Sequence, residues 1–191
     1  VDDLIIEEKI DYVIHTAAVT NSRFMVNYPV DTIKTSVIGT DKLLHFSQEK
    51  QVESFVYVSS MEAYGEMDKK DKTVESDLGF IDLFNVRSSY PESKRMCECL
   101  CFAYAKQYGL NVKIARLAQT FGAGILKEEN RVFAQFARSA MNNENIVLHT
   151  TGKSEGNYVY TRDAIVALLL ILLDGVPGEV YNVSNENCHT T

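Results

Sequence analysis

Proline and glycine are scarce, three and ten in 191 residues, and the glycines stand singly, which leaves no room for a low-complexity linker or a collagen-type repeat. Long apolar runs are missing as well. The longest, Ala164 to Leu173, is about half of the roughly 20 residues a membrane-spanning helix needs. Positive charge is short: 19 Lys and Arg against 26 Asp and Glu leave a formal charge of −7, and the basic residues are scattered instead of forming a stripe. A chain of that sign repels phosphate backbones, so neither nucleic acid nor a membrane is an expected partner. Cysteine is limited to four positions. Cys97, Cys99 and Cys101 alternate along one predicted helix, where i and i+2 point to different faces, so they match neither a zinc spacing nor a disulfide framework. With Cys188 they read as reduced thiols of a cytoplasmic protein, and no metal site is expected. What is present is ordinary: 46% hydrophobic, 24% charged and 10% aromatic residues, enough to bury a globular core. The sequence lacks an initiator Met and opens and closes within patterned sequence, which predicts a piece of a longer chain.

The order of elements predicts an α/β fold. An amphipathic stretch from Asp2 to Lys9 reads as a helix leading into the strand Asp11 to Thr16. Apolar residues at helical spacing from Pro29 to Lys50 predict a helix with Asp31 favouring its N-terminus, and Gly39 inside it suggests either a close approach or a tolerated glycine. Ser54 to Ser60 is apolar on both faces, as a parallel strand covered on both sides requires. A polar segment from 61 to 85 follows, with a charged tip at Asp68 to Lys72. A helix then runs from about Ser89 to Tyr108 and stops at Gly109, and Asn111 to Leu117 makes the third strand. Strands alternating with helices imply right-handed crossovers and a parallel sheet. Beyond Gln119 the pattern predicts a helix near Val132 to Asn142, short strands at Ile146 to Leu148 and Tyr158 to Tyr160, a helix from Arg162 to Leu173 and a strand from Glu179 to Val183.

Ligands of open parallel sheets sit beyond the carboxyl ends of the strands, which selects Ala17-Ala18, Ser59-Ser60 and Ala118-Gln119. Tyr90 and Lys94 lie four apart at the start of a helix and so share a face. An ammonium beside a phenol favours phenolate, so this pair predicts a tyrosine whose pKa is lowered toward that of a working base. Ser60 places a hydroxyl at the end of the preceding strand.

A strand-end serine with a tyrosine and lysine on the next crossover helix resembles the extended short-chain dehydrogenase/reductases, in particular the nucleotide-sugar epimerase/dehydratase family with its decarboxylases. The similar segments are Asp11 to Ala18, Thr35 to Thr40, Phe55 to Gly65, Ser89 to Glu98, Ala115 to Gly122, Tyr158 to Asp163 and Val180 to Val183, in family order over nearly the whole chain. The resemblance implies a partial Rossmann-like, doubly wound parallel sheet. Residues 1–118 would form the C-terminal half of the NAD-binding domain and 119–191 its last elements with part of a small substrate domain. It implies that Tyr90 takes the proton of a sugar hydroxyl, usually the 4-OH, while the carbon beneath gives hydride to NAD. Lys94 would hold the nicotinamide ribose and keep Tyr90 ionised, and Ser60 would bond the sugar oxygen. Ala17, Ala18, Val58 and Ser59 would lie along the cofactor, with Gln119 and Arg131 toward the nucleotide-sugar substrate. It also implies a homodimer through helices 31–50 and 89–108.

The departures are informative. Met61 stands where the dehydratases carry an acid and cannot donate a proton, while Glu62 keeps the hydroxyl-x-Glu arrangement of the decarboxylases and joins the candidate catalytic set. Ser36 and Gln119 replace common asparagines, and the arginine that often pairs with the diphosphate is either replaced by Gly156 or displaced. The glycine-rich turn that would cradle a pyrophosphate does not occur in this sequence. Two other readings stay open: a non-catalytic nucleotide-binding or interaction protein of the same fold, and an NADP-dependent carbonyl reductase.

Overall fold

The structure is a computed structural model that describes residues 6–68, 72–148, 155–186 and 189–190. In chain order the elements are β1 (Tyr12–His15), α1 (Ser22–Asn27), α2 (Pro29–Glu49), β2 (Ser54–Ser60), α3 (Ser89–Tyr108), β3 (Val112–Leu117), β4 (Gln119–Phe121), α4 (Val132–Met141), β5 (Glu155–Gly156), β6 (Tyr158–Tyr160), α5 (Thr161–Asp174), β7 (Val180–Val183) and β8 (His189–Thr190). Short 3-10 turns at Met61–Tyr64 and Val86–Ser88 bracket the segment between β2 and α3.

Strands β1, β2, β3 and β7 form one sheet in that order, every pair parallel. The alternation of β2 and β3 explains why it is covered on both sides. Phe55, Tyr57, Val112 and Ile114 point to one face, where they meet Leu44 of α2 and Cys97 and Cys101 of α3. Val56 and Ala115 point to the other, against Ala164, Ile171 and Leu172 of α5. A fully buried side chain such as Phe55 or Val56 contributes about 1.5–3 kcal/mol, more than the ~0.7 kcal/mol per residue that helix propensity commands. Packing of the two faces therefore sets the architecture. β4 and β6 make a separate parallel pair, and β5 and β8 an antiparallel one.

Several local expectations hold. Pro29 opens α2 with Asp31 in the first turn. Gly109 ends α3 at φ 69°, its N–H bonding Ala105. Cys97 and Cys101 are buried while Cys99 is exposed, as alternation requires.

Two expectations do not hold, and an open one is decided. Residues 6–10 are irregular instead of helical, with the Ile6 carbonyl accepting from Lys50 Nζ at 2.5 Å; Asp2–Ile5 lie outside the described residues. Ile146–Leu148 are exposed and pair with no strand among the described residues, so an apolar triplet without a partner stays irregular. A Cβ added at Gly39 meets nothing within 4 Å, so this glycine is tolerated and marks no close approach. Residues 69–71 of the charged tip and Cys188 lie outside the described residues. No helix among the described residues is long and apolar enough to cross a membrane.

Candidate active site

Parallel pairing puts the carboxyl ends of β1, β2 and β3 on one edge of the sheet, with Ala17 exposed and Ala18 half-buried just past β1. The first turns of α3 cross behind this edge and bring Tyr90 and Lys94 to it, 8% and 3% exposed. Lys94 Nζ donates to the Val58 carbonyl at 2.7 Å, which fixes the ammonium beneath the end of β2, 5.7 Å from the centre of the Tyr90 ring. The Ser60 hydroxyl acts on the Tyr90 phenol and works against its rise. Ser60 Oγ also accepts from the Glu62 N–H at 3.2 Å, capping the Met61–Tyr64 turn as strand-end hydroxyls do. That cap brings Glu62 alongside, where its carboxylate accepts from Arg87 Nη2 at 2.9 Å. The Arg87 guanidinium lies 5.4 Å from the Tyr90 ring centre.

The electrostatics depart from the sequence expectation. Burial pushes the Tyr90 phenol above its ordinary value; Ser60, Arg87 and Arg131 pull it back, and Glu62 adds to the rise. Lys94 itself is lowered to about 8 by burial, against the opposing effects of Cys97, Glu98 and Cys101. The expected lowering of Tyr90 by Lys94 is thus corrected. Both groups are withdrawn from water, and desolvation is the largest influence on each.

The remaining candidates are placed as follows. Val58 contributes its carbonyl to Lys94. Ser59 turns to the opposite side of the strand, where its hydroxyl donates to Glu98 at 2.5 Å, so its side chain serves the α3 face. Gln119 opens β4, half-buried, its N–H donating to the Asn157 carbonyl at 3.1 Å. Arg131 precedes α4, pairs with Glu129 at 2.7 Å and lies 4.8 Å over the Phe133 ring; its charge is felt at Tyr90. Met61 packs against the α5-side core. Among the described residues no group of three or more His, Cys, Asp or Glu is placed to hold a metal ion.

Sequence reasoning missed the arginines that build this edge. Arg87 stands three residues before Tyr90, a helical-turn spacing that was its available signal. Arg95 reaches from α3 to the carbonyls of Ala63, Tyr64 and Gly79 at 2.7, 3.2 and 2.8 Å, pinning the segment after β2. Arg116 on β3 makes a bidentate pair with buried Glu98, bonds the Glu75 carbonyl at 2.8 Å and covers the Tyr64 ring. Tyr64 in turn donates to Asn182 of β7 at 2.6 Å.

Comparison with known proteins agrees with this architecture. The model of the NAD dependent epimerase/dehydratase family matches residues 1–184. A dTDP-D-glucose 4,6-dehydratase from Dictyostelium discoideum is 30% identical over 185 residues, 94% of this chain and 42% of its own. A UDP-glucuronic acid decarboxylase from Arabidopsis thaliana is 30% identical over 177 residues, 93% of this chain and 51% of its own. The crystal structure of a UDP-glucose 4-epimerase from Thermotoga maritima, with UDP-glucose, superposes at a TM-score of 0.85 and 28% identity, covering 94% of this chain and 57% of that one. The chain spans about half the length of the curated relatives it matches. With its partial Rossmann-like sheet and a family match over nearly its whole length, the chain belongs to the NAD dependent epimerase/dehydratase family.

Proposed function

We propose that this chain carries the catalytic half of an NAD-dependent enzyme that oxidises the 4-OH of a nucleotide sugar to a ketone and then completes an epimerisation or a decarboxylation. The observation that carries the reading is the convergence of Ser60, Tyr90 and Lys94 on the carboxyl end of β2, with the ammonium held on the Val58 carbonyl 5.7 Å from the Tyr90 ring centre. In this reading residues 1–118 belong to the cofactor domain, and 119–191 hold its last elements with part of the substrate region.

The residues present fit the nicotinamide end of the cofactor. Ala17 and Ala18 leave the backbone past β1 open to a flat ring, and Lys94 and Tyr90 stand beside that edge. When bound, NAD supplies a two-electron acceptor and a positive charge near the phenol. Tyr90 takes the proton of the sugar hydroxyl, and Ser60 bonds the same oxygen and holds it in line. Lys94, fixed by Val58, offers its remaining N–H donors to the ribose. The 4-ketone acidifies the neighbouring carbon or turns a 6-carboxylate into a leaving group, which opens both outcomes. Dehydration is disfavoured because Met61 is packed into the core and has no proton to give. Gln119 and Arg131 are assigned to the substrate side. We further propose a homodimer through α2 and α3, whose outward residues Ile33, Ile38, Met96 and Phe102 are 42–51% exposed; gel filtration of the full-length protein tests it, and a clean monomer would count against it.

The functional test is incubation of the full-length protein with NAD and a panel of nucleotide sugars. A 4-keto product, an epimer or carbon dioxide is expected. Absence of all three overturns the reading.

A further inference from the structure

Arg87 touches two of the candidate residues at once. Its Nη2 donates to Glu62 Oε1 at 2.9 Å, and its guanidinium lies 5.4 Å from the centre of the Tyr90 ring. Its other terminal nitrogen, Nη1, is buried without a hydrogen-bond partner. A buried N–H lacking an acceptor is unfavourable, so stability alone does not account for this placement. The position is nonetheless well defined. The Arg87 N–H donates to the capping Asn85 side chain at 3.0 Å, and Ser88 Oγ ties the same turn to the Asp82 carbonyl at 2.6 Å.

The groups that act on Tyr90 or lie against it are Tyr57 and Ser60 from β2, Glu62 from the turn after it, Arg87 from the turn before α3, Lys94 from α3 and Arg131 from the approach to α4. Glu62 and Arg87 act on the phenol with opposite sign, and the ion pair joins them.

We propose that Arg87 is a positioning residue for the reaction proposed above, pinning the Glu62 carboxylate and standing as a fixed cation beside the Tyr90 phenol. The inference rests on the reading of Tyr90 as the proton acceptor. Removal of the guanidinium takes away a cation and leaves Glu62 uncompensated, two changes of the same sign. Removal of the Glu62 charge acts in the reverse direction.

The test uses the full-length protein and its Arg87→Gln, Arg87→Lys and Glu62→Gln variants, with Tyr90→Phe as the spectral blank. Tyrosinate formation at Tyr90 is followed by ultraviolet difference titration without substrate, and kcat/KM is followed against pH. Arg87→Gln is expected to move the tyrosinate titration up by about one pH unit. It should lower kcat/KM at neutral pH about tenfold, with recovery as the pH rises. Arg87→Lys restores most of this, and Glu62→Gln moves the titration down. An unshifted titration in Arg87→Gln, an activity loss equal at every pH, or a shift of the same sign in Glu62→Gln each overturns the proposal. If the wild type turns over no nucleotide sugar, the proposed reaction fails while the titration still decides the role of Arg87. If Arg87→Gln does not fold, the sign of the Glu62→Gln shift decides it.

Discussion

Replacing Glu98 by alanine strips the partner from a buried guanidinium, and the size of the loss follows from the geometry. The Glu98 and Arg116 side chains are each 6% exposed, joined by Nε to Oε1 at 3.0 Å and Nη2 to Oε2 at 2.7 Å, with the Ser59 hydroxyl on Oε1 at 2.5 Å. Burial works against the Arg116 charge, but the two hydrogen bonds and the charge of the Glu98 carboxylate oppose it and hold the guanidinium protonated. Breaking such a pair from one side costs about 3–5 kcal/mol, because an unpaired charge stays buried, whereas replacing both partners with apolar groups is near neutral. With an m-value of about 2 kcal/mol/M, Glu98→Ala should lower the urea midpoint of the full-length protein by about 2 M. Glu98→Ala combined with Arg116→Met should lose much less stability than the sum of the two single losses. Recovery stays incomplete, since Arg116 also holds the Glu75 carbonyl. Urea unfolding followed by circular dichroism for the four proteins of this double-mutant cycle supplies the measurement. A midpoint shift below about 0.5 M for Glu98→Ala, or strictly additive losses, would show that no charge is left buried and unpaired at Arg116.

Two further outcomes follow from the same edge of the sheet. Gly65 sits at φ 68°, and a Cβ there would lie 2.5 Å from the Phe80 carbonyl oxygen, so Gly65→Ala should cost about 1–3 kcal/mol; the measurements are thermal melting and limited proteolysis, which should open the 66–85 segment first, and an unchanged Tm would count against the close approach. His15 is buried, with Nε2 2.9 Å from Thr40 Oγ1, and burial, aided by the Lys94 charge, lowers it to about 4. Its folded pKa lies below its unfolded value, so this contribution to stability is fully present above about pH 6.5 and is lost as the pH falls through about 4, in all about 3 kcal/mol. Urea midpoints across that window should fall less steeply for His15→Leu than for the wild type; parallel slopes would contradict the assignment.

The parallel sheet was legible in the sequence because β2 is apolar on both faces, because strands alternate with long helices, and because Pro29, Asp31 and Gly109 mark helix ends by local chemistry. Tyr90, Lys94 and Ser60 were legible because a four-residue helical spacing and a strand-end hydroxyl are local patterns. The Arg116–Glu98 pair was not, since it joins a strand to a helix 18 positions away and exists only once α3 lies on the sheet. The same holds for Arg95, whose three carbonyl acceptors are fixed by the path of the segment it pins. The direction of the Tyr90 shift was misread because spacing reports the neighbouring charge and not the depth of burial. Ile146–Leu148 misled because three apolar residues carry a strand signal whether or not a partner strand is beside them.

The central claim is that Tyr90 is the proton acceptor of a nucleotide-sugar oxidation. Its most direct test is a single-turnover assay of full-length wild type and Tyr90→Phe, following formation of the 4-keto sugar from a turned-over nucleotide sugar and NAD. Loss of one phenol oxygen, with the fold intact by circular dichroism, should slow that step by about 10²–10⁴-fold, the contribution of general acid–base catalysis. A Tyr90→Phe protein that forms the ketone at the wild-type rate would contradict the account.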